Sequence, residues 1–182
     1  MKPCLLGKIS PPKTPSKKLT LAISAALASA ALMSFTAQAA TVNSQWNTGT
    51  IGNWNTPANW TPIVSPDNND GSGDDYNVSI SGATSNATLT ASTLINLINI
   101  TSDATLNIAN NAQLRLATNN FLQNSGTVNF NSLGNISGIL FEGLGNTDII
   151  GTGVFNLGNS LANRLVTNAD GNTIINSALH TI

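Results

Sequence analysis

Past residue 39 the chain has no lysine and no cysteine, and it has only one histidine. All five lysines (Lys2, Lys8, Lys13, Lys17, Lys18) and the single cysteine, Cys4, come before that point. Without thiols the remainder can form no disulfide and no cysteine-ligated metal site, so its stability must come from packing and backbone hydrogen bonds. Only two cations remain there, Arg115 and Arg164, against eight carboxylates, which gives residues 40–182 a net charge of −6. So few cations exclude nucleic acid as a partner, because neutralising phosphates takes Lys and Arg. They also disfavour anionic lipid. The sequence has no P-loop and no G-x-S-x-G nucleophile motif. His180 has no recognisable catalytic partners and is expected to be a solvated or edge histidine.

There is one long hydrophobic run, Leu19 to Phe35, and it sits in a recognisable frame. Basic residues precede it, and Ala37-Gln38-Ala39 follows it with the small side chains that a signal peptidase needs. Residues 1–39 are therefore expected to be a cleaved export signal rather than an anchor. Cys4 lies far ahead of the place where a lipoprotein cysteine would stand.

What remains is rich in Asn, Thr, Ser and Gly. Residues 40–76 hold all three tryptophans (Trp46, Trp54, Trp60) and the Asp/Asn/Gly-rich stretch from Asp67 to Asp75. They are expected to form a Trp-rich N-terminal cap of irregular structure. From Tyr76 onward, apolar-polar-apolar triplets recur: Val78-Ser79-Ile80, Leu106-Asn107-Ile108, Leu114-Arg115-Leu116, Val128-Asn129-Phe130 and Phe155-Asn156-Leu157. In a strand, alternate side chains face opposite sides, so each triplet predicts two residues in a core and one in water. Gly, Asn, Asp and Ser between the triplets supply turns.

The phrases Ala104 to Ile108, Gly126 to Phe130 and Gly153 to Leu157 resemble one another at spacings of 22 and 27 residues. Strand and turn repeating at that interval predict an all-β fold, a right-handed parallel β-helix (a solenoid) over residues 77–182. An antiparallel β-sandwich is the alternative. Asn at the turns of stacked coils is expected to form hydrogen-bonded ladders.

Trp54-Asn-Thr-Pro-Ala-Asn-Trp60, Pro66 and Tyr76-Asn-Val-Ser-Ile80 together resemble the opening of large exported bacterial β-helix repeat proteins, the autotransporter passengers and filamentous adhesin-like exoproteins. Asn124 to Phe130, Ile150 to Leu157 and Leu165 to Ile174 look like their repeat units. The resemblance implies a secreted or surface-exposed structural or adhesive protein without catalytic activity. It also implies a host-surface or polysaccharide ligand, self-association through an open β-helix end, and membrane attachment only through a C-terminal anchor missing here. The chain is expected to be truncated within a repeat. A carbohydrate-binding or polysaccharide-degrading β-helix is the alternative function.

Two clusters are weighed for ligand chemistry. Asp67, Asp70, Asp74 and Asp75 are weak calcium candidates, because hard cations prefer oxygen ligands. The EF-hand register fails there: with Gly71 sixth, Pro66 stands first, and with Gly73 sixth, Ser79 stands twelfth. Trp46, Trp54 and Trp60 are weak sugar-stacking candidates. Asp103, Asp148 and Asp170 stand too far apart in turn-like contexts to suggest a carboxylate pair. No catalytic residue, cofactor or nucleic-acid site is expected.

Overall fold

The computed structural model describes residues 39–117, 121–168 and 170–182. The export-signal expectation, with Cys4 and the leader lysines, falls on residues 1–38, outside the described ones. The strands in chain order are β1 (Thr41–Trp46), β2 (Ile51–Asn53), β3 (Trp60–Thr61), β4 (Asp75–Ile80), β5 (Asn86–Leu89), β6 (Thr93–Ile95), β7 (Leu97–Ile100) and β8 (Thr105–Ala109). They continue with β9 (Ala112–Leu116), β10 (Phe121–Asn124), β11 (Thr127–Asn131), β12 (Ser137–Phe141), β13 (Thr147–Ile150), β14 (Val154–Asn156), β15 (Asn163–Thr167) and β16 (Ile174–Asn176). Among the described residues the only helical piece is a 3-10 turn at Pro57–Asn59. No helix of these residues is long and apolar enough to cross a membrane.

The strands form three sheets, in the orders β16-β13-β10-β7-β4-β1-β3, β14-β11-β8-β5-β2 and β15-β12-β9-β6. From β4 to β13 every strand pairs in parallel with the one three later in the chain. The fold is all-β with parallel sheets. The antiparallel-sandwich alternative is corrected by these pairings, since β1 with β3 is the one antiparallel strand pair among the described residues.

The register follows the sequence phrases. Leu106 pairs with Val128 and Val128 with Phe155, at the spacings of the repeat. Side chains therefore stack in columns. Ala87, Leu106, Val128 and Phe155 form one buried column, and Leu89, Ile108 and Phe130 form another. In the third sheet Ile95, Leu116 and Phe141 do the same. A buried Leu, Val or Phe contributes about 1.5–3 kcal/mol relative to exposure, so these columns carry much of the driving force. Glycine is required where one strand turns against the next. A Cβ on Gly153 would stand 2.5 Å from the Gly126 carbonyl oxygen and 2.6 Å from Asn124 Nδ2.

Residues 40–76 are more regular than the irregular cap expected of them. β1 pairs with β4 over five residues, and β2 pairs with β5. The expected boundary at 76/77 therefore cuts through β4. The rest of the segment covers strand edges. β3 lies antiparallel on the outer edge of β1. At β6, the Asn68 N–H donates to the Leu94 carbonyl (2.7 Å), and the Leu94 N–H donates to Asp67 Oδ1 (3.1 Å). At β2, Asn59 Nδ2 donates to the Asn53 carbonyl (2.9 Å). An uncovered edge offers unpaired N–H and C=O groups to other chains, and here the first strand of each sheet has part of its outer edge engaged.

Candidate functional site

The three tryptophans are in the core. Each is fully buried, and Trp60 meets both Trp46 and Trp54 edge-on, at 4.9 and 4.7 Å between ring centroids. Each indole N–H has a carbonyl acceptor: Thr50 for Trp46, Pro66 for Trp54 and Trp54 for Trp60. Stacking on a sugar needs an exposed ring face, and none of the three has one.

The acidic loop is organised by its own hydrogen bonds. Asp67 Oδ1 accepts from the Asn69 and Leu94 N–H groups, Asp70 Oδ1 accepts from the Ser72 N–H, and Asp75 Oδ1 accepts from Asn68 Nδ2. Tyr76 donates its hydroxyl to Asp70 Oδ2 (3.0 Å). Ser72, through its hydroxyl first and its N–H next, holds the Asp70 carboxyl below its ordinary value, with Tyr76 adding to the effect. Burial, with Asp70 second, pushes the Tyr76 phenol up. Among the described residues no three His, Cys, Asp or Glu side chains converge as a metal set. Asp103 sits in a turn at φ 65°, and Asp103, Asp148 and Asp170 are all exposed.

His180 differs from its expectation. It is 5% exposed, and its ring packs edge-on against Phe155 at 4.6 Å. The apolar ring and a segment folded back on β14 take it out of solvent. Burial holds its pKa below the ordinary value.

The outward faces hold an Asn ladder, but not where the sequence places it. Asn107 Nδ2 donates to Asn86 Oδ1 (2.6 Å), Asn129 Nδ2 to Asn107 Oδ1 (2.9 Å) and Asn156 Nδ2 to Asn129 Oδ1 (2.8 Å). This ladder crosses four strands of the second sheet, β5, β8, β11 and β14. Its signal was present in the triplets, as Asn107, Asn129 and Asn156 are their middle residues. The ladder therefore runs within the strands, through the middle of β8 and β11 and the ends of β5 and β14, and the expectation of an Asn ladder at the turns is corrected. Turn asparagines instead accept backbone N–H groups of the adjacent turn: Asn110 Oδ1 takes Leu133 and Asn135, and Asn172 Oδ1 takes Gly145.

The outer face of the first sheet carries an open depression of about 290 Å³. Asn43, Gln45, Asn77, Ser79 and Asn99 line it with amides and a hydroxyl, and Leu97 adds an apolar patch. It carries no charged side chain. Across the third sheet, Arg115 Nε meets Glu142 Oε1 at 2.6 Å, a partly exposed pair worth about 0.2–1 kcal/mol at most. These faces can offer hydrogen-bond donors and acceptors in rows, and among the described residues they bring together no nucleophile with a base. No family model, curated protein or solved structure matches this chain.

Proposed function

We propose that the chain is an exported structural or adhesive protein built as a right-handed parallel β-helix, acting through an extended repetitive surface and not through catalysis. The observation that carries this reading is the strand order: parallel pairing three strands apart, with buried side-chain columns inside and a carboxamide ladder outside. Parallel strands joined by crossovers within a sheet are right-handed in about 98% of cases, which supports the handedness. The basic, apolar and A-x-A frame of residues 1–39 supports export. Immunoblotting of fractionated source cells with antibody to residues 41–182 tests the reading. We expect signal at the cell surface or in the medium, lost when residues 19–35 are deleted. A purely cytoplasmic band would overturn it.

A second reading rests on the uncharged depression around Leu97, which suits a neutral polysaccharide better than an ionic ligand. Asn77→Ala would then weaken binding to neutral glycans on an array. Retention by charged glycans alone would sink it.

A further inference from the structure

The segment Ser177–Thr181 lies along the free edge of β14. The Phe155 N–H donates to the Thr181 carbonyl (2.9 Å), and the Thr181 N–H donates to the Gly153 carbonyl (3.1 Å). The Ser177 N–H reaches back to Ile149 (2.9 Å), and Asn176 Nδ2 donates to the His180 carbonyl (2.8 Å). His180 is the side chain this segment inserts, against Phe155 and Asn124.

The hydrogen bonds around Asn124 decide the protonation state of that ring. Asn124 Oδ1 accepts from the buried Gly126 N–H (3.1 Å), so the amide cannot be turned over without setting donor against donor. Its Nδ2 therefore faces His180 Nε2 at 2.9 Å, and also reaches the Val154 carbonyl at 3.4 Å. Nε2 must accept, which makes His180 the neutral imidazole with its proton on Nδ1. That Nδ1 is buried with no hydrogen-bond partner. A proton added at Nε2 would point at an N–H and place a charge where nothing balances it. β10, β14 and residues 176–182 carry no acidic or basic side chain apart from His180 itself. On β13 the Asp148 side chain is exposed, one position from the inward Thr147 and Ile149. On β16 the nearest acid, Asp170, is exposed in the preceding turn.

We propose that His180 is a protonation-sensitive latch: taking up a proton expels the ring, releases Ser177–Thr181 and uncovers the β14 edge at Gly153 and Phe155. The direction follows from linkage. A histidine whose pKa is lower folded than unfolded contributes stability that is whole above its ordinary value of 6.5 and is lost as pH falls from there through the folded value.

The chain has a single histidine, so the test is clean. In the full chain, NMR titration of the imidazole should give a midpoint below 6.5. Hydrogen-exchange protection factors at Phe155, Ser177 and Thr181 should fall between pH 7 and pH 5, as the ring takes up its proton. His180→Phe should make those protection factors independent of pH. Asn124→Asp, which keeps the Gly126 bond and turns the facing group into an acceptor, should lift the midpoint above 6.5 and retain protection at pH 5. A wild-type midpoint at or above 6.5 would overturn the latch. So would the same loss of protection in His180→Phe.

Discussion

At the scale of single residues, stability is concentrated in a few inward positions. Trp60 holds the centre of the aromatic cluster, touching two rings and donating to the Trp54 carbonyl. Trp60→Ala should cost about 3–5 kcal/mol in denaturant unfolding, and Leu161→Ala, at a fully exposed side chain, less than about 0.5 kcal/mol. The inward columns also contain hydroxyls. Thr93 and Thr147 are buried, and neither Oγ1 has a hydrogen-bond partner. Valine has nearly the same shape and no hydroxyl to desolvate, so Thr93→Val should raise the unfolding midpoint by about 1 kcal/mol in free energy. A drop in that midpoint would show that Thr93 is satisfied in solution. Such polar inward residues explain why some strands carry no apolar alternation to read. Ser137 faces inward in β12 because its hydroxyl donates to the Ile108 carbonyl (2.7 Å), so the strand carries no triplet signature at its start.

At the scale of elements, four of the five triplets mark strands as expected, and the fifth fails at its end, since Leu157 lies beyond β14 and is only partly buried. Val78 to Ile80, Leu106 to Ile108, Leu114 to Leu116 and Val128 to Phe130 all lie within strands with the outer pair buried. β5 was less legible, since its inward Ala87 is a weak apolar marker. The burial of His180 could not be read from the sequence either, because it depends on Asn124, which is 56 residues away. The acidic loop resembled a cation site because Asp and Gly serve tight turns and calcium loops alike. What it does here is cover β6 and tie down Tyr76. Its pH response follows from that role. Asp70 is lowered, so its contribution is whole above the ordinary value of 3.8 and is lost as pH falls through the folded value. Tyr76 is raised, so its contribution is whole below 10.0 and is lost as pH rises through the folded value. Amide exchange at Tyr76 and Leu94 should therefore show a flat plateau of protection between those limits and loosen beyond both. Tyr76→Phe should remove the alkaline limb and leave the backbone bonds of the cap in place.

At the scale of the whole molecule, the two ends of the sheets differ. The first strands are covered in part by β3, Asn59 and the Asp67–Asn68 turn, whereas among the described residues β15 and β16 each have one strand neighbour. Burial falls in the same direction, from alternate buried positions in β8 to none in β15 and β16. If self-association proceeds through the later edge, Ile175→Lys should suppress it, because a charge on an exposed edge strand opposes pairing. Sedimentation of wild type and variant as concentration is raised would check this. Wild type that stays monomeric would count against the edge as an interface.

The position of Arg115 in the middle of β9, with β6 on one side and β12 on the other, has a practical consequence. Past residue 39 trypsin has only two sites to cut, Arg115 and Arg164. The second lies on β15, which among the described residues is bonded to a neighbour on one side alone. A protease needs a locally opened segment, so digestion should nick first at Arg164 and reach Arg115 only once the sheets separate. At Arg115 the folded molecule therefore resists this enzyme, and a cut there serves as an internal gauge of its unfolding.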